Sequence, residues 1–81
     1  MNQQEAAVLK AYLCDGWSHR EIQERILGID APTRGGGYVA MQILHQYGIT
    51  GESKSSLRGK DFDPKAFEAA GSIRAYLRTH S

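Results

Sequence analysis

The sequence predicts an all-α domain of four helices, and three observations carry that prediction. Apolar residues recur at helical spacing in four separate segments, cap residues or glycines bound those segments, and no stretch of useful length alternates apolar with polar as a strand would. With 81 residues the chain has room for one small domain. A domain of that size buries about 60% of the surface its unfolded chain exposes, which leaves no space for a deep cofactor cavity, and no cofactor is expected. Its 41% hydrophobic and 23% charged residues form a globular rather than a disordered composition.

The first helix is expected over about residues 2–14. Ala6, Leu9 and Leu13 form its apolar stripe, Val8 and Tyr12 widen it, and Asn2 with Glu5 three residues later is a start signal. Asp15-Gly16 stops it. The second helix, about 18–27, is announced by Trp17-Ser18-His19-Arg20-Glu21-Ile22. There Ser18 and Glu21 have the spacing of a capping box, and Trp17 and Ile22 that of a hydrophobic staple. Ile22, Ile26 and Leu27 give this helix its apolar side, and Gly28 ends it. Three consecutive glycines, Gly35 to Gly37, make the next segment a loop. A third helix over 38–47 then places Val39, Ile43, Leu44 and Tyr47 toward the core and turns Tyr38, Gln42, His45 and Gln46 outward. Residues 48–62 are polar and glycine-punctuated and are expected to form an exposed loop. Asp63-Pro64, an N-cap followed by a proline at the first helical position, starts a fourth helix over 64–78.

The total charge of +1 hides a segregation. Residues 1–33 carry three Lys/Arg against five Asp/Glu, residues 34–60 carry Arg34, Lys54, Arg58 and Lys60 against Glu52 alone, and residues 61–81 carry three of each sign. The balances are therefore −2, +3 and 0. The basic segment also holds Gly35, Gly36 and Gly37 and the hydroxyls of Ser55 and Ser56. Small residues, amides, hydroxyls and cations together suit the backbone of a polyanion. Arg34-Gly35-Gly36-Gly37 directly before a helix adds an N-terminal dipole and amides that a phosphate can approach. A plain connector accounts for the same glycines, and no Gly-Lys-Ser/Thr follows that would make a nucleotide-binding loop. On the outward face of the third helix, glutamine can pair with adenine in the major groove, and tyrosine or histidine can contact phosphates or bases.

The run Leu13-Cys14-Asp15-Gly16-Trp17-Ser18-His19-Arg20-Glu21-Ile22, continued to Leu27-Gly28-Ile29, resembles the first two helices of many bacterial helix-turn-helix domains. The resemblance covers roughly residues 2–47. It implies a tri-helical module for double-stranded DNA, with Ser18 capping the second helix and the third helix entering the major groove. The sequence departs from the pattern in one place: Ile29 to Gly37 makes a nine-residue connection where three or four residues are usual.

No catalytic constellation accompanies these features, so the chain is not expected to be an enzyme unless it belongs to a larger nuclease. His19, His45 and His80 are scattered, and although Asp61-x-Asp63 could bind a divalent cation, Asp63 is better explained as the helix N-cap. The single Cys14 allows no internal disulfide and suits a reducing compartment. No stretch approaches the 18 or so apolar residues of a membrane span, and a cytoplasmic location without membrane contact is expected. Two functional readings follow. The first is double-stranded DNA binding through Arg34, Gly35, Gly36, Gly37, Tyr38, Gln42, His45, Gln46, Lys54, Ser55, Ser56, Arg58 and Lys60, as a domain for restriction or regulation that acts as a homodimer or beside a fused catalytic domain. The second is a protein-interaction or dimerisation module with an apolar patch of Tyr38, Met41 and Tyr76.

Overall fold

The computed structural model describes residues 1–28 and 37–80. The chain is all-α. Among the described residues there are five α-helices and no strand: α1 (Gln3–Leu13), α2 (His19–Arg25), α3 (Tyr38–Gln46), α4 (Pro64–Ala70) and α5 (Ile73–His80), with a 3₁₀ turn at Gly51–Ser53. The connection Ile29 to Gly37 lies outside the described residues except for Gly37 itself.

Helix α1 starts where the sequence predicts. The Glu5 amide donates to Asn2 Oδ1 at 2.7 Å and the Asn2 amide donates back to Glu5 Oε1 at 3.1 Å. Ser18 and Glu21 close the same reciprocal box at the start of α2, at 3.1 and 3.3 Å. Between these helices Gly16 adopts φ +69°, a conformation that costs a residue with a Cβ but not glycine.

Helices α1, α2 and α3 pack on one another, while α4 and α5 pack chiefly as a pair. Val8, Leu9, Leu13, Ile22, Ala40, Leu44, Ile49, Leu57 and Tyr76 are fully buried in one continuous core. Burying a leucine or isoleucine of this kind stabilises by about 1.5–3 kcal/mol relative to leaving it exposed. Phe67 joins the two tiers: its ring meets Tyr47, the cap residue after α3, edge-on at 6.3 Å and lies 5.9 Å from Tyr76 of α5. Phe62 fills the remaining side of this aromatic cluster, 5.7 Å from Phe67 and 5.6 Å from Tyr76.

Four expectations are corrected. The single fourth helix is two helices, because Gly71 takes φ +84° as the cap of α4 and Ser72 then accepts the Ala75 amide at 3.1 Å as the cap of α5. Breaking the helix resets its phase, so Tyr76 turns fully inward and its hydroxyl accepts the Asp63 amide at 3.0 Å. An exposed patch of Tyr38, Met41 and Tyr76 therefore does not exist. On α3 the inward stripe is Ala40 and Leu44, flanked by half-buried Ile43 and Tyr47, whereas Val39 is 40% exposed. Finally, the segment 48–62 is not a free loop: it contains the 3₁₀ turn and a buried Leu57.

Candidate nucleic-acid interface

The end of α1 organises one part of the surface. A helix leaves its last four carbonyls without intrahelical partners. Here Lys10 O accepts from the Cys14 amide and Ala11 O from the Trp17 amide, at 2.8 and 3.1 Å. The other two are met from the basic segment, by the Ser55 amide on Tyr12 O at 3.1 Å and the Leu57 amide on Leu13 O at 2.9 Å. Backbone hydrogen bonds thus pin the basic segment to the α1–α2 turn. To make them Ser55 adopts φ +61°, a strained value for a residue with a Cβ. A Cβ at Gly16 would stand 2.5 Å from Ser55 Oγ and 3.3 Å from Arg58 Nη2, so the hydroxyl and the guanidinium lie directly over the turn. Lys54, Arg58 and Lys60 are exposed. Cations over the negative end of α1 are also electrostatically favoured there.

Helix α3 organises the other part. Its first residues are pressed into α2: a Cβ on Gly37 would meet His19 Cβ at 2.5 Å and the Arg20 nitrogen at 2.8 Å. The Val39 amide donates to Oε1 of Gln23, a buried side chain of α2, at 3.1 Å. Gly37 is therefore an interhelix contact rather than an open approach for phosphate, which corrects its expected role. Arg34, Gly35 and Gly36 lie outside the described residues. Beyond this anchored start, Tyr38, Val39, Gln42, His45 and Gln46 are exposed. The Gln42 amide nitrogen donates to the Tyr38 hydroxyl at 2.8 Å, which orients the glutamine and leaves its carbonyl oxygen and a second N–H free for a partner.

His19 links the two parts. Its ring stacks on Tyr12 at 5.2 Å with the planes 13° apart. Burial holds its pKa below the usual histidine value, and the nearby charges of His45 and Lys54 lower it further. His45 and Lys54, far from His19 in sequence, are thus each within electrostatic reach of it. No linear signal announces that grouping, since it depends on how α2, α3 and the pinned segment meet. Gln23 was likewise missed, because a polar residue in a short amphipathic helix reads as solvent-facing.

Two predicted contacts are constrained by the fold. The Ser55 amide is consumed by α1, and Ser56 is half-buried with its Oγ enclosed and without a hydrogen-bond partner. Cys14 is buried, as its place at the end of α1 suggests, and Asp63 caps α4 through the amides of Lys65 and Ala66 at 3.0 and 3.3 Å. No helix of the described residues is long and apolar enough to cross a membrane. Comparison with known protein families, with curated proteins and with solved structures finds no match to this chain.

Proposed function

We propose that this chain is a double-stranded DNA-binding module that lays the exposed face of α3 in the major groove and holds the flanking backbone with the basic segment. One observation carries the reading: the outward face of α3 bears tyrosine, glutamine and histidine but no carboxylate, and His45 on that face and Lys54 of the pinned segment both act on His19 between them. Gln42, held by Tyr38, retains the acceptor and donor that a bidentate pair with adenine needs. His45 and Gln46 extend the readout face. Lys54, Arg58 and Lys60 supply phosphate contacts, Ser55 supplies a hydroxyl, and Arg34 with Gly35 and Gly36 supplies a further contact from the connection. The α1–α2–α3 packing and the two capping boxes agree with a helix-turn-helix-like unit. So few phosphate contacts give weak binding at physiological salt, which suits a domain that acts as a dimer or beside the catalytic or regulatory domain of a larger protein.

The test is a fluorescence titration of a short duplex at several salt concentrations, with the chain and with a Lys54→Ala/Arg58→Ala variant. Each lost phosphate contact removes about 0.9 from the slope of log K against log salt, so the double variant should bind more weakly with a slope shallower by about 2. An unchanged slope would show that the basic segment does not touch DNA. The exposure of Tyr38 (58%) and Val39 (40%) favours a second reading, a protein-interaction or dimerisation surface. A concentration-dependent dimer that Tyr38→Ser abolishes, together with no duplex binding, would select it.

A further inference from the structure

A second polar surface lies between the 3₁₀ segment and α5. There Thr50, Glu52, Ser53 and Ser56 form one wall of an open groove, and Arg74 and Arg78 stand on the other. The arginines are four residues apart on α5, one turn of helix, so both project to the same side. Among the described residues neither has a carboxylate within 4.0 Å. Ser56 Oγ is the one buried side-chain nitrogen or oxygen of the described residues without a hydrogen-bond partner. Buried polar groups are nearly always satisfied, so an orphan hydroxyl on the wall of a groove calls for a missing partner.

We infer that this groove binds a phosphate group, held between the Arg74 and Arg78 guanidiniums and the hydroxyls of Thr50, Ser53 and Ser56. A guanidinium fork matches the oxygens of a phosphate, and charge-assisted bonds of this kind are the strong ones. Two forks and three hydroxyls offer more donors than the two oxygens of a carboxylate can use, whereas a tetrahedral oxyanion can use them. Glu52 opposes the anion but leaves the groove with a net positive charge. The site faces a different element from the α3 surface and does not depend on DNA binding there. Its phosphate is either a free phosphate or small phosphoester, or a phosphodiester of a nucleic-acid backbone.

The inference is tested by titrating the 15N-labelled chain with sodium phosphate at constant ionic strength, with sodium chloride as the reference. Saturable amide shifts confined to residues 50–56 and 73–78 are expected, together with shifts of the Arg74 and Arg78 Nε–H groups. Arg74→Ala/Arg78→Ala, at two exposed positions, should weaken binding by at least about tenfold, and Glu52→Gln should tighten it. Ser56→Ala should weaken binding without lowering stability, because its hydroxyl makes no hydrogen bond in the free chain. A phosphate titration indistinguishable from chloride, or a double arginine variant that titrates like the parent, would overturn the inference. A duplex arm separates the sources. Groove shifts that a duplex induces and phosphate displaces identify a phosphodiester, and a groove that phosphate saturates while a duplex leaves it unmoved identifies the free species. Failure of α3 to respond to the duplex in an otherwise phosphate-responsive chain would sink only the DNA reading.

Discussion

The hydrogen on the α-carbon of Gly37 occupies the place where any other residue would put a Cβ against the backbone of α2. The atoms it would strike, the Arg20 nitrogen and the His19 carbonyl carbon, both at 2.8 Å, belong to a helix and cannot swing aside. Gly37→Ala should therefore push α2 and α3 apart and lower stability by about 1–3 kcal/mol, read from the denaturation midpoint. Gly51→Ala is the control: its nearest neighbour, the Tyr12 hydroxyl, is 4.0 Å away, and the change should leave the midpoint nearly unmoved. Position 37 is legible in the sequence as part of a glycine-rich turn. Which of its glycines is sterically required is not, because the requirement comes from a helix 17 residues earlier in the chain.

At the scale of elements, the helix starts divide into those written locally and those supplied from elsewhere. Asn2, Ser18 and Asp63 each cap a helix with their own side chain, and each stands in the sequence at the spacing that chemistry demands. Helix α3 has no such residue: its cap position is Gly37, and its amide acceptor is Gln23 of α2. Gln23→Met keeps the volume and removes the acceptor, so it should leave the Val39 amide unsatisfied and cost about 1–3 kcal/mol in a denaturant titration. Gln23→Glu, which keeps an acceptor, should lose less at neutral pH. The break between α4 and α5 was also written locally, in Gly71-Ser72, a helix stop followed by a helix start. Phe67, Ala70, Ile73 and Leu77 nevertheless continue a helical spacing across it, and a periodic pattern does not register a change of axis.

At the scale of the whole molecule, the surface of α3 and the pinned basic segment share a dependence on pH through His19. Burial keeps its folded pKa below the ordinary 6.5, with His45 and Lys54 adding to the effect, so the unfolded chain binds more protons than the folded one in that range. The stability it contributes is complete above pH 6.5 and is lost as pH falls through the lowered folded value. Glu5 adds a second acid loss below 4.5, since the hydrogen bond from the Tyr47 hydroxyl at 2.8 Å, helped by the Asn2 amide, lowers its pKa. On the alkaline side, burial and the Glu5 hydrogen bond raise Tyr47 to about 12, so its contribution is present below pH 10 and disappears as pH rises toward 12. Melting temperatures measured across pH should therefore show a plateau near neutrality with losses on both sides. His19→Phe, which keeps an aromatic ring on Tyr12, should remove the first acid step, and Tyr47→Phe should remove the tyrosine's part of the alkaline one. A histidine variant whose acid limb coincided with that of the parent would place the charge coupling elsewhere.

Local chemistry in the chain settled the all-α class, the starts of α1, α2 and α4, the burial of Cys14 and the concentration of cations in residues 34–60. Caps, helical spacing and charge counts act over a few residues and can be read in order. The tertiary structure alone decided that Gln23 caps α3, that Tyr76 is core, that Val39 is surface, and that His45 and Lys54 both act on His19. It also decided where the basic segment sits. The four unfilled carbonyls of α1 had to find donors, and two of those donors are the amides of Ser55 and Leu57, more than forty residues downstream of the carbonyls they meet.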